Sequence, residues 1–306
     1  MSILRRRWRW VVAALAFGLL VRWVGPLQLA ETLRGARILP LIVFVVGFAL
    51  AAPLYGLQVW VGLRLRGSRV PLGTTVAAAV ASWSVGTLTP ARAGDLSLVL
   101  MLRGRASEAD VLAVVVADKL ISLSVLALLA CSSAYALELP YRAALLAGSA
   151  VVFGVGWALL YLAGTRHAGG MLEWIGERWR DRAVLTWGAM KSLLRPRAIL
   201  TLGAISLARW LYICEVNLLI FMAFGQRPGF VHLVAGTSVG RILSLLPITV
   251  GGVGVKEPVQ MVIYGQAGVP PEVVVAVSLV GMACAFLIAA LWPLILRPTG
   301  EEVARA

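Results

Sequence analysis

The chain has 306 residues, of which 60% are hydrophobic and only 14% charged, with a mean hydropathy of +0.89. Soluble domains carry about 25% charged residues, so a cytosolic enzyme, a disordered chain and a disulfide-stapled secreted module are all excluded. At about 20 apolar residues per crossing, the runs supply roughly eight membrane segments, and the fold class expected is an all-α polytopic membrane protein. The net charge of +14 comes from 28 basic residues, 25 of them arginine and three lysine (Lys119, Lys191 and Lys256). They sit mostly between apolar runs, which reads as topology determinants and contacts to anionic lipid headgroups; no nucleic-acid partner is expected. Cys131, Cys214 and Cys284 lie far apart in apolar runs without metal spacing, so neither a metal nor another cofactor is expected.

In chain order, Arg5-Arg6-Arg7-Trp8-Arg9 opens an apolar segment from about Trp8 to Gly25. It has the look of a signal peptide, but no small-residue cleavage site precedes Arg22 and Trp23, so a retained first helix is expected. A second segment runs from about Ile38 to Leu63 and ends at Arg64, Arg66 and Arg69. The third, from about Leu72, is interrupted by Pro90-Ala91-Arg92-Ala93-Gly94-Asp95 and resumes as Leu96 to Leu102. Runs from Val111 to Leu137 and from Ala143 to Ala163 follow. Between Arg166 and Arg197, Met171, Leu172, Ile175 and Trp179 recur at helical spacing among charges, which predicts an amphipathic interfacial helix over 166–197. The remaining segments are Ile199 to Phe224, Val231 to Leu246 broken at Pro247 to Gly252, Val255 to Tyr264, and Val273 to Leu296.

The two breaks share a pattern, a proline, a glycine four residues on, then an acid: Pro90, Gly94 and Asp95; Pro247, Gly251 and Glu257. Proline removes a backbone donor and glycine admits turn geometry, and in hydrocarbon the freed groups survive only inside protein or beside a wet cavity. Both stretches are therefore expected to be re-entrant hairpins. With cytoplasmic termini and two hairpins, 18 basic residues face the cytoplasm and 4 face outward, with 6 inside membrane segments. Treating the breaks as kinks would turn the basic 166–197 tract outward, against the positive-inside rule. Six full crossings and two oppositely oriented hairpins then form an inverted repeat, 1–137 and 138–306, within one membrane domain. The setting expected is the inner, or plasma, membrane.

At these motifs the chain resembles the membrane domain of the lysylphosphatidylglycerol synthases, a flippase-like family that includes stand-alone proteins of lipid and isoprenoid-glycan pathways. The resemblance rests on Pro90-Ala91-Arg92-Ala93-Gly94-Asp95, on the acid-base pair Asp118-Lys119, and on Pro247, Gly251, Gly252, Gly254 and Glu257. Two positions depart from the pattern: Lys119 stands for an arginine, and Ser122 for an acid. The soluble aminoacyl-transfer domain of the synthases is not expected here. What the resemblance implies is translocation of a membrane lipid, or support of it, by a stand-alone member.

Arg92 is expected deep in the membrane, either gripping a lipid phosphate in bidentate fashion or paired with Asp95. Asp95 and Glu257 are candidates to carry a coupling proton; the structural alternatives are a helix cap for Asp95 and a helix-start contact for Glu257. Arg241 and Lys256 are candidates to pair across the site or to snorkel. Glu215 and Asn217 are expected as a further buried polar group. Gly251, Gly252 and Gly254 read as turn formers whose amides can meet an anion, and Gly236 with Gly240 as a close-packing element. No ATP-binding motif appears, so the leading reading is a non-ATPase transporter of an anionic or phosphate-linked lipid. Its rivals are an intramembrane lipid or glycan transferase and a scaffold for a partner lipid-synthesis enzyme.

Overall fold

The computed structural model describes residues 18–19, 21–89, 94–137, 143, 146–151, 153–154, 157–158, 177–244 and 254–295, except the side chains of 88, 177–184 and 293–295. The expected first segment falls largely outside these residues and the Ala143 to Ala163 run about half outside, while Pro90, Arg92, Pro247, Gly251 and Gly252 lie outside them. Among the described residues the elements are helical: α1 (Pro26–Arg34), α2 (Ile38–Leu65), α3 (Leu72–Leu88), α4 (Ser97–Met101), α5 (Glu108–Ala136), α6 (Glu177–Leu193), α7 (Pro196–Ala223), α8 (Phe230–Leu243), α9 (Lys256–Gly265) and α10 (Pro271–Ile295). Four of them, α2, α5, α7 and α10, are long and apolar enough to cross a membrane. The 28 residues of α2 span about 40 Å, more than the roughly 30 Å hydrocarbon layer. This is a multi-pass membrane protein.

Helices immersed in lipid gain nothing from burying apolar surface against each other, so they associate through small residues that let backbones approach. Gly56 of α2 lies against the Val76 backbone of α3, and Gly62 against Val114 of α5. Gly47 faces Val216 of α7, where the Tyr212 hydroxyl donates to the Gly47 carbonyl at 2.7 Å. A methyl group on Gly236 of α8 would strike the Tyr264 ring of α9, and one on Gly240 would strike Gln260. The close-packing role expected for that glycine pair is what the structure has.

These contacts also fix directions. Along α2 and α5, Arg66 meets Asp110, Gly62 meets Val114 and Tyr55 meets Lys119, so the two helices run antiparallel. The start of α3 and the residues after α4 lie together, Arg105 donating to the Thr74 hydroxyl at 3.4 Å. Helices α8 and α9 are antiparallel by the same reasoning, Gly236 lying opposite Tyr264 and Gly240 opposite Gln260. So are α2 and α7, where the Arg37 amide donates to the Ala223 carbonyl at 2.7 Å and Gly47 faces Val216.

The first break is closed by side chains. Thr89 donates to the Gly86 carbonyl (3.3 Å) and accepts from the Gly94 amide (2.9 Å), while the Ser82 hydroxyl lies 3.1 Å from the Asp95 carbonyl. The described backbone groups on either side of the break thus find side-chain partners within the protein. Gly94 packs directly on the backbone of Val85 and Gly86, with no room for a β-carbon.

One element goes beyond the expected segments. A short helix, α1, follows Gly25; Pro26 at its first position lacks the amide that would be orphaned there anyway, and Leu29 packs near Val275 and Ala276. The described part of the 166–197 tract, α6, buries Ala189, Met190 and Leu193 in the main core and packs on α5. We predict that Gly94→Val will push the break away from α3 and cost about 1–3 kcal/mol of stability. A thermal unfolding midpoint equal to wild type in detergent would contradict this packing.

Candidate functional site

At the end of the helices where Arg66 lies, charge is paired and anchored. Arg66 donates to Asp110 at 2.8 Å and to the Ser192 hydroxyl at 2.5 Å, joining α2, α5 and α6. The chemistry of interest lies deeper. Asp118 and Lys119 stand ten and eleven residues into α5, and Tyr55 ten residues before the end of α2, so all lie about 15 Å from that end. Arg209, thirteen residues into α7, lies about 20 Å from it.

Four helices and one break converge here. Lys119 forms an ion pair with Asp95, which follows the first break. Lys119 and Arg209 each lie 5.4 Å from the Tyr55 ring centroid. Arg209 stands 3.5 Å from Asp118 and donates to the Ser122 hydroxyl at 2.8 Å; Ser122 in turn shares a hydrogen with Ser206 over 3.2 Å. Arg209 and Arg241 lie 5.6 and 5.5 Å from the Trp210 ring. A continuous chain therefore leads from Asp95, just past the first break, to Arg241, shortly before the second. Cations over aromatic faces gain stabilisation that grows as water is excluded.

Exposure within the cluster is uneven. The acids are buried, and the Arg209 side chain is only 10% exposed, yet 42% of the Lys119 side chain is accessible. Lys119 is paired with Asp95 and Arg209 with Asp118, while Arg241 lies over the Trp210 ring. Arg92, three residues before Asp95 in the chain, lies outside the described residues.

The second break ends in a different arrangement. Glu257 is fully buried at the start of α9. Its Oε2 accepts from the Gly254 amide at 2.6 Å, and its Oε1 accepts from Ser278 at 2.5 Å and meets Lys256 at 3.1 Å. Lys256 also donates to Ser278 at 2.5 Å. Gly254 itself has φ +84°, the left-handed conformation that favours glycine. Every charge in this group is answered, which is the arrangement of an anchor.

Several expectations need correction. Asp95 does not cap the next helix, whose N-cap is Leu96; its carboxylate goes to Lys119. Glu215 is exposed rather than buried and joins no ion pair among the described residues. Asn217 bonds Thr237 at 3.0 Å, away from Glu215. Sequence reasoning placed Arg209 within a crossing without assigning it a role, although an arginine in mid-span is itself a functional signal. Tyr55, Trp210 and Ser206 carried no such signal.

Breaking a buried pair leaves an uncompensated charge, at about 3–5 kcal/mol. Glu257→Gln is accordingly expected to lower the thermal midpoint sharply, and Glu257→Gln with Lys256→Met to recover most of it. No recovery in the double variant would argue against an anchoring role.

The model for the lysylphosphatidylglycerol synthase transmembrane region matches residues 8–292. A UPF0104 membrane protein of Methanothermobacter thermautotrophicus is 24% identical over 303 residues, covering 90% of each chain. A second UPF0104 membrane protein of that organism is 32% identical over 101 residues, which is 31% of this chain and 27% of the relative. With the match running through all four crossing helices and both break regions, the chain belongs to the lysylphosphatidylglycerol synthase transmembrane-region family.

Proposed function

We propose that this protein moves an anionic, phosphate-bearing lipid between the leaflets of the plasma membrane, without catalysing a covalent step. The observation that carries the reading is the cluster of Lys119, Arg209 and Arg241 on α5, α7 and α8 beside Tyr55 of α2, with Lys119 accessible and Asp95 as its counter-ion when no phosphate is bound. Arg92, Lys119, Arg209 and Arg241 are the phosphate-facing candidates, and the amides near Gly251 and Gly252 the second set. The lipid is the expected partner, with a lipid-synthesis enzyme as its supplier.

The architecture behind this reading is an inverted repeat of six crossings and two re-entrant hairpins, with both termini cytoplasmic. Helix pairings support it. Exchange α2 to α5 for α7 to α10, and α1 for α6, and the pairing of α3 with α10 becomes that of α8 with α5; α1 with α10 becomes α6 with α5; and α2 with α5 becomes α7 with α10. All six pairings are present. Helix α2, which would pack on its own counterpart α7, does so antiparallel, as inversion requires. Halves related in this way place one site where their broken helices meet, and rocking about it gives access from each side.

Cysteines introduced singly by Arg69→Cys and Arg105→Cys should label from the same face of the membrane. Opposite faces would eliminate the first hairpin. In proteoliposomes, Arg92→Ala should abolish movement of acyl-labelled anionic lipid with expression intact, and Arg92→Lys should restore only part, since an ammonium lacks the planar fork. The double variant Asp95→Asn, Lys119→Gln should fold, having lost both charges together, yet move lipid at least tenfold more slowly. Full movement by purified Arg92→Ala and by the double variant would favour a scaffold role instead.

A further inference from the structure

Tyr55, Val59, Gly62 and Arg66 recur at helical spacing along one stripe of α2, and contacts to Lys119, Val114 and Asp110 turn that stripe toward α5. Between Arg66 and the ring of Tyr55 this seam is shut. Val59 and Leu63 are 0% and 1% exposed, and a β-carbon on Gly62 would lie 2.7 Å from Val114. Its outer end is closed by charge: Arg66 pairs with Asp110 at 2.7 Å and donates to Ser192 of α6 at 2.5 Å. The side chains of the pair are 22% and 21% exposed.

This tie is built to part, as the one at Glu257 is not. Arg66 is the C-cap of α2 and Asp110 lies in the first turn of α5, so each charge sits at the helix end whose dipole favours it. Ser192 keeps a bond of 2.9 Å to the Ala189 carbonyl. Separated, the three groups stay compensated by water, dipole or backbone, whereas Glu257 would become a charge with no exposed surface. The opposite end of the bundle is closed differently. Helix α7, the counterpart of α2 in the proposed repeat, ends in the same turn: Gly67 and Gly225 have φ +81° and +73°, and the Ser68 and Gln226 amides return to the Leu63 and Phe221 carbonyls. Matching the turns puts Phe224 in the place of Arg66, and Phe224 packs in the apolar cluster of Val273 and Val274 at the start of α10.

We infer that the tie of Arg66, Asp110 and Ser192 is an ionic gate, whose release lets α2 and α5 part and opens a route from that end of the bundle to Lys119. The inference rests on the lipid-translocation reading and adds how its site is reached and regulated. An approaching phosphate supplies the trigger, because it competes with Asp110 for a guanidinium fork that takes phosphate and carboxylate alike. Screening by salt weakens the same tie and leaves the apolar closure around Phe224 untouched. The two ends of the bundle therefore answer to different conditions.

The test reads opening separately from lipid movement. Val59→Cys, on the closed part of the seam, reports opening by its rate of reaction with a water-soluble maleimide. The protein is full-length and purified, with Cys131, Cys214 and Cys284 replaced by alanine. Val275→Cys, fully buried in α10 beside Val24, Leu29 and Ala276, is the control. Raising the ionic strength from about 0.01 to about 1 M shortens the Debye length from about 30 to about 3 Å, and should speed labelling at position 59 but not at 275. Arg66→Gln should speed it about fivefold at low salt, the upper value for an exposed ion pair, since this one is partly shielded. Arg66→Phe with Asp110→Val, which copies the chemistry of the other end, should label slowly and without salt dependence. No acceleration by Arg66→Gln, salt dependence retained in the double variant, or a rise shared by Val275→Cys would each overturn the gate. Gated labelling in a protein that moves no acyl-labelled phosphatidylglycerol in proteoliposomes would instead overturn translocation and leave the gate standing.

Discussion

A helix can stop inside hydrocarbon only where its freed backbone groups, and any charge beside them, find partners on neighbouring helices. Among the described residues flanking the first break, Thr89 and Ser82 bond the backbone of Gly94 and Asp95, and Lys119 pairs with the Asp95 carboxylate. After the second, Glu257 takes the Gly254 amide with one oxygen and Ser278 and Lys256 with the other. In both cases the acid that follows the break binds a helix after it, α5 in one and α10 in the other. These ties hold each broken helix against a continuous one, and the packing of glycines on neighbouring backbones follows from the positions they set.

The two ties are built alike and charged differently. Around Glu257, one lysine and one glutamate cancel, every carboxylate oxygen is bonded, and the acid has no exposed surface. Around Asp95, the lysine is nearly half accessible and two arginines lie further along the same chain of aromatic rings. A buried pair with all its hydrogen bonds is hard to open, because either partner alone would be a desolvated charge. A pair with one accessible member exchanges partners more readily, and on the proposed translocation reading an incoming phosphate replaces Asp95 at Lys119, so that the second break anchors and the first works.

Much of this was legible in the chain. Hydropathy marks the four long crossings, and the proline-glycine spacing marks both breaks. The basic clusters at Arg64 to Arg69 and Arg103 to Arg105 flank the first broken stretch, and Arg105 reaches across it to Thr74. What stayed hidden depends on faces and register. Glu215 looked buried because its helix is apolar on all sides, and hydropathy does not say which side meets lipid. Asp95 looked like a cap because it follows Gly94, but a short 3₁₀ turn delays the helix to Ser97 and frees the carboxylate for Lys119. Tyr55 and Asp118 acquire meaning only when α2 is set against α5, and the closeness of Gly62 to Val114 that fixes that register is a tertiary fact.

Depth gives the arrangement its mechanical sense. The hydrocarbon layer is about 30 Å thick, and the cluster lies about 15–20 Å from the Arg66 end of the helices. Asp95 reaches this level from that end, while Arg241 belongs to a helix that starts near the opposite one, α8 following α7 after only a few residues. On the proposed inverted-repeat architecture, each broken helix brings a charge roughly halfway through the layer, from opposite ends. On the translocation reading, a phosphate entering from either leaflet has only half the layer to cross before it meets cations that the protein already holds in place. The largest electrostatic cost of lipid movement, a headgroup charge at the membrane centre, is then offset by groups whose own burial is compensated in the empty protein by Asp95 and Asp118. Removing those acids would leave Lys119 and Arg209 uncompensated, so on this reading the stability of the fold and the capture of an anion depend on the same few side chains.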